Sequence, residues 1–146
     1  MRFRFILIAA LLLIFILVFP GCVQTKCNVA EWQDVSWKLK SYGHTEDLLP
    51  VAGNTDITIL FNSSDNRIGG FGGCNSYFGS YTINKQTCEL TISDIGSTKK
   101  ACVDATVMQQ EQKYFNLLQA AAKVEVKGGE LRITCGSELL VYALDK

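Results

Sequence analysis

Apolar and polar positions alternate along most of this chain, and a two-residue period is the mark of strands with one buried face. Trp37 and Leu39 alternate with Ser36, Lys38 and Lys40, which predicts a first strand. A loop over 43–54 follows, punctuated by His44, Pro50 and Gly53. Ile57, Ile59 and Phe61 mark a second strand, and Arg67–Phe71 reads as a short third. In the fourth, ending at Ile83, Tyr77, Gly79 and Tyr81 alternate with Phe78 and Ser80. Cys88, Leu90 and Ile92 then share one face after a turn over 84–87, so Cys88 is expected to point inward. Val124 and Val126, a Gly128-Gly129 turn, and Leu131, Ile133 and Cys135 repeat that hairpin pattern, and 139–144 is a last strand.

One segment breaks the alternation. From about 104 to 122, Val107, Tyr114, Phe115, Leu118 and Ala122 recur with helical spacing, and Asp104 stands where an N-cap belongs. Glu111 lies on that apolar stripe, four residues from both Val107 and Phe115. Such a carboxylate is either bonded structurally to backbone amides or a hydroxyl, or is an acid held in a pocket; the structural role is the expectation. The predicted fold class is mainly β (α+β), an antiparallel barrel-like curved sheet of about eight strands with one α-helix (about 104–122) covering an open end.

The stretch 69–81, GGFGGCNSYFGSY, stands apart, with five glycines around a cysteine. It reads as a tight turn or bulge feeding a strand. The N-terminus changes the picture more. Arg2 and Arg4 precede an apolar run over 5–19 that ends in Pro20, Gly21 and Cys22. Its fifteen residues fall short of the roughly 20 of a spanning helix and match a signal-peptide core. The expected organisation is a lipoprotein-type signal peptide over 1–21, acylation at Cys22, a tether over 22–31 and one domain over 32–146. Phe19 and Pro20 stand where a bacterial lipobox carries Leu and a small residue, so an uncleaved anchor or plain secretion stays open. All three place the body of the protein outside the cytoplasm, the first two on a membrane.

Without that segment the chain carries twelve basic and fourteen acidic residues, with no basic stripe of the kind nucleic acid requires. The six cysteines, at 22, 27, 74, 88, 102 and 135, suggest disulfides in an exported protein. With Cys22 acylated one cysteine is odd, and Cys27, in the tether, is expected to be it. The other four allow three connectivities. Metal and cofactors are not expected, since there is no C-x-x-C pair and the one histidine is His44.

Gly73-Cys74-Asn75, then Tyr77, Gly79 and Tyr81, then Ser97-Thr98 with Ala101-Cys102, and finally Met108, Glu111 and Leu117-Leu118 on the helix form an ordered set. In this set, running from about Trp37 to Tyr142, the chain resembles the META (HslJ-like) domain family. The resemblance implies a β-rich, barrel-like domain with one helix, found in exported and often lipid-anchored envelope proteins. Members of the family have been connected with envelope stress, drug tolerance and secretion, without a common activity or catalytic set. Lys99-Lys100 and the extra Cys88 and Cys135 depart from the pattern. By resemblance Cys74 pairs with Cys102, and inward strand placement then leaves Cys88 for Cys135.

Catalytic readings are poorly supported by motif. The glycine-rich stretch lacks the Gly-Lys-Ser/Thr ending of a phosphate loop. Ser97 and Lys100 have S-x-x-K spacing without the further motifs of that chemistry, and His44 has no G-x-S-x-G partner. The expected function is a non-catalytic binding or scaffolding module for an envelope protein, peptide or lipid; the alternative is a small hydrolase using Ser97/Lys100 or Glu111. Outward aromatics of 69–81, clustered with Trp32 or Tyr42, would mark a contact surface. Replacing Cys22 by Ser is expected to abolish metabolic lipid labelling, and persistent labelling of Cys22→Ser would refute acylation there.

Overall fold

The computed structural model describes residues 27–52 and 55–146; the expected signal peptide, Cys22 and the first part of the tether lie outside them. The strands are β1 (Ser36–His44), β2 (Asp47–Pro50), β3 (Thr58–Asn62), β4 (Arg67–Phe71), β5 (Ser76–Ile83), β6 (Leu90–Ser97), β7 (Lys123–Lys127), β8 (Glu130–Cys135) and β9 (Glu138–Leu144). They form one antiparallel curled sheet in the order β6-β5-β4-β3-β1-β9-β8-β7, with β2 paired to β1 off that path. The alternation seen in the sequence is the burial pattern observed: Trp37, Leu39, Ile59, Phe61, Leu131 and Ile133 point into the core while Lys38 and Lys40 face solvent.

The ninth strand, β2, lies where a loop is expected. It pairs Leu49 with Tyr42 and Asp47 with His44, but none of its residues is buried. A strand without an inward face leaves no period-2 signal.

The helix, α1 (Ala105–Gln119), falls inside the expected span, and the Asp104 side chain accepts from the amides of Thr106 and Val107. Of the predicted stripe, Val107, Tyr114 and Leu118 are buried and Phe115 is half-buried, with Leu117 buried beside them; Ala122 lies beyond the helix and is exposed. The helix connects β6 to β7, the two end strands of the sheet. These meet only over a short seam, where the Leu90 amide donates to Ala122 O and the Val124 amide to Cys88 O, both at 3.0 Å. Below the seam, Trp32 packs edge-on against Phe61 and Tyr81, with ring centroids 4.9 and 6.1 Å away.

The cysteines bear out the Cys74–Cys102 pairing and correct two expectations, that Cys27 is the odd one and that Cys88 pairs with Cys135. Cys74 is bonded to Cys102, but Cys88 is bonded to Cys27, and Cys135 is a free, buried thiol. Cys88 does not continue the inward face of Leu90 and Ile92 because its φ of 60° places it in a left-handed turn before β6 begins. Cys135 does follow the alternation of β8, and burial, with the nearby Glu138 charge, pushes its thiol up to about 12. Cys27 therefore belongs to the folded domain, as does the turn of 3-10 helix at Val29–Glu31. The bridges close 61 and 28 residues of chain, worth about 4 and about 3.5 kcal/mol in the chain-entropy model. One sits before β6 and the other after it, at opposite ends of a strand about 27 Å long.

Candidate functional site

Part of the ordered set from the sequence, Gly73, Cys74, Asn75, Thr98, Cys102 and Glu111, converges where β4 turns into β5. The connection 72–75 is tight: the Gly72 amide donates to Asn75 O at 2.8 Å, and Gly73 takes a φ of 103° that strains any other residue. Gly72 lies against the helix, where a Cβ would come within 3.0 Å of Glu111 Cγ and 2.9 Å of the Phe115 ring. Turn and helix are thus in direct contact.

Glu111 reaches into this turn. Its Oε2 accepts from the backbone amides of Cys74 at 3.0 Å and Asn75 at 2.7 Å, and its Oε1 accepts from Asn75 Nδ2 at 2.7 Å. Asn75 Oδ1 in turn accepts from Thr98 Oγ1 and from the Lys100 amide, each at 2.8 Å. The Cys74–Cys102 bond closes the same loop. Gly73, Cys74, Asn75, Thr98, Cys102 and Glu111 therefore form one network joining a hairpin turn, the 98–102 loop and the helix. Glu111 and Asn75 are buried, and among the described residues no cation pairs with the carboxylate. Backbone amides beside glycines make an anion cradle, and the anion it holds is the protein's own Glu111. This is the structural role expected of Glu111.

Beneath the turn runs a line of tyrosine hydroxyls. Tyr142 donates to Tyr114 at 3.2 Å, Tyr114 and Tyr77 lie 2.8 Å apart, and Tyr77 reaches Thr58 O at 2.9 Å. Each hydroxyl has one proton, so a line that ends on a carbonyl runs from Tyr142 to Thr58. Burial raises all three hydroxyls well above the usual tyrosine range. Gly70 makes room for this bond, since a Cβ there would sit 2.1 Å from Thr58 O. Gly79 has a similar reason: its Cβ would meet Ser93 O at 2.9 Å, beside the register shift between β5 and β6. Tyr81 is buried at the other end of the barrel, accepting from Gln33 Nε2 at 2.6 Å.

The other candidates are not brought together. Ser97 and Lys100 are exposed on the rim, and among the described residues neither side chain has a hydrogen-bond partner. His44 is exposed at the end of β1, paired in register with Asp47 and Glu138. Among the described residues no three His, Cys, Asp or Glu side chains cluster as metal ligands. Trp32 and Tyr42 are core residues and do not join an outer aromatic cluster. Phe78 is the outward aromatic, 53% exposed, with the Arg67 guanidinium 5.8 Å from its centroid. Two surface clefts, of about 370 and 490 Å³, lie away from the network, one beside Cys27 and Cys88, the other between α1 and Glu138. Sequence reasoning missed Cys27 and Gly70; an inward glycine facing a tyrosine on the next strand is the signal that could have found the second.

The META domain model matches residues 30–146. The chain belongs to the META domain family. Its fold is similar to that of a protein from Burkholderia xenovorans solved by NMR, at 22% identity and a TM-score of 0.65, covering 81% of this chain and 88% of that one. A second NMR structure matches at 21% identity and TM-score 0.61, over 79% and 92% of the two chains. A DUF4847 family protein from Bacteroides vulgatus ATCC 8482 matches at 11% identity and TM-score 0.56, over 79% and 95%. No curated protein matches. These likenesses concern the fold of the META domain.

Two outcomes follow for this META domain. Glu111→Gln places an amide donor against backbone donors and removes a charge-assisted acceptor; a loss of about 2 to 4 kcal/mol is expected in denaturant unfolding. A loss below 0.5 kcal/mol would contradict the network. Tyr77, Tyr114 and Tyr142 hold their protons in the folded state, whereas unfolded tyrosines release theirs from about pH 10. Stability is therefore full below that pH and falls as pH rises above it. Ultraviolet titration is expected to show these three ionising only as the protein unfolds.

Proposed function

We propose that this protein is a non-catalytic binding or scaffolding module of the cell envelope, held at the membrane through a lipid on Cys22, and acting on an envelope protein. The observation that carries this reading is the saturation of the motif network. Asn75 and Glu111 spend their polar groups on each other, on the turn and on the 98–102 loop, leaving no free nucleophile or base at the shared motif. Ser97 and Lys100, the residues a hydrolase would need, stand exposed and without an orienting partner among the described residues. No helix among the described residues is long and apolar enough to cross a membrane; in this reading the attachment rests on the apolar run over 5–19 and on Cys22. A role in envelope stress or secretion fits the family resemblance.

The contact surface we assign is the outer face of β3 to β5. Leu60, Gly69 and Phe78 are register partners across three strands, and Leu60 and Phe78 are both exposed there. Phe78 lies over Gly96, where a Cβ would come within 2.7 Å of its ring. A guanidinium beside an exposed ring is a contact suited to the aromatic and acidic groups of a protein partner. A photo-crosslinking amino acid at position 78 of the natively expressed protein is expected to capture a defined envelope protein that the same probe at Thr82, farther along β5, does not. Equal capture at both positions would overturn the assignment of the surface. A Glu111→Gln variant that stays folded but loses a measured turnover would overturn the non-catalytic reading.

A further inference from the structure

The two disulfides differ in what surrounds them. Cys74 is only 6% exposed, and its neighbours are held independently of the sulfur: the Cys74 and Asn75 amides by Glu111, and the Lys100 amide by Asn75. Breaking that S–S bond leaves Cys74 held by Glu111 and the 98–100 part of the opposite loop held by Asn75, which favours reclosure. Cys27 and Cys88 are both half-buried and both line the cleft of about 370 Å³, together with Asn28, Glu31, Thr87 and Lys123. Lys123 brings one cation to the cleft, while Glu31 and Glu125 bring two carboxylates. Electrostatics therefore does not activate this bond; Cys102 is half-buried too, and what distinguishes Cys27–Cys88 is that both of its cysteines are half-buried and line a cleft, whereas Cys74 is buried.

Cys27 and Cys88 also carry a conformational load. Cys88 holds a φ of 60°, unusual for a residue with a Cβ. Its amide donates to Asn84 O in the β5–β6 turn, and its carbonyl accepts one of the two backbone bonds that close the seam. Cys27 is joined to this turn by the disulfide and by one backbone bond, to Lys85 O at 3.1 Å. The segment from Cys27 to Glu31 is thus strapped across the end of the barrel by the disulfide, that backbone bond and the packing of half-buried Val29 against the core. Trp32 is held separately, with its carbonyl accepting from Trp37 Nε1 and its ring in the core.

We propose that the Cys27–Cys88 bond is a site of thiol–disulfide exchange, open to a protein dithiol through the cleft it lines, and that its reduction releases the N-terminal strap from the seam. A thiolate of the dithiol attacks one sulfur of the pair. The S–S bond breaks, an intermolecular disulfide forms, and the other cysteine leaves as a thiolate that takes a proton. The second thiol of the dithiol gives up its proton and attacks the mixed disulfide. The dithiol becomes a disulfide and the remaining cysteine leaves as a thiol. Two electrons and two protons pass from the dithiol to the protein. The Cys74–Cys102 bond stays closed, and the turn between β4 and β5 keeps its place against the helix.

The test uses the full chain purified from the envelope in detergent, treated with limiting reduced thioredoxin-type dithiol protein and, separately, dithiothreitol, then trapped with iodoacetamide and mapped by mass spectrometry. Alkylation of Cys27 and Cys88 is expected to outpace that of Cys74 and Cys102 by tenfold or more with both reagents. Equal rates, or the reverse order, would overturn the proposal. Hydrogen exchange on the trapped species is expected to show lost protection at 27–31, 84–89 and the Val124 amide, with Cys74 and Asn75 still protected. Unchanged protection at Val124 would overturn the release from the seam. The Cys27→Ser, Cys88→Ser double variant is expected to show that same pattern without reductant. If this variant does not fold, the mapping on the unaltered chain decides alone.

Discussion

The interaction on which the top of this domain depends is the seating of Glu111 in the turn between β4 and β5. A carboxylate without a cation is costly to bury unless backbone donors replace the water it gives up. Here two amides and one carboxamide do so. Because the donors belong to a hairpin turn and the acceptor to a helix, satisfying this single charge also fixes the height and rotation of α1 against the sheet. Asn75 then extends the constraint to the 98–102 loop. The spread of Asn75, Thr98 and Glu111 along the chain follows from this geometry: each supplies one side of a polar joint assembled by the fold.

Most of the architecture was legible because most strands bury one face. The alternation of Trp37 with Leu39, and of Leu131 with Ile133, could hardly mean anything else, and Asp104 marked the helix start at the residue that caps it. The unread parts have physical reasons. β2 buries nothing, so it carries no period. Cys88 has the right spacing for an inward residue, yet one left-handed φ turns its side chain away from the face that spacing assigns it. Cys27 lies in a polar stretch whose fold is imposed from outside by a covalent bond.

The candidate site was half legible. A Glu on an apolar stripe announced a buried carboxylate, and a glycine-rich turn announced free amides. That the two belong to each other, 36 residues apart in Asn75 and Glu111, is a long-range fact that no local period encodes. The glycines at 70 and 79 likewise serve close approach of side chain and backbone, which is visible only once the neighbouring strands are in register.

The tyrosine line has a mechanical meaning. Tyr77 stands on β5 and Tyr142 on β9, which are separated by β4, β3 and β1 in the sheet. Tyr114 meets both from the helix. The three side chains act as a tie-rod across the barrel, setting its width by their own length. A sheet closed by so short a seam would otherwise be free to widen, and the rod forbids it. The interior at this level cannot admit a guest unless the walls first let go of each other.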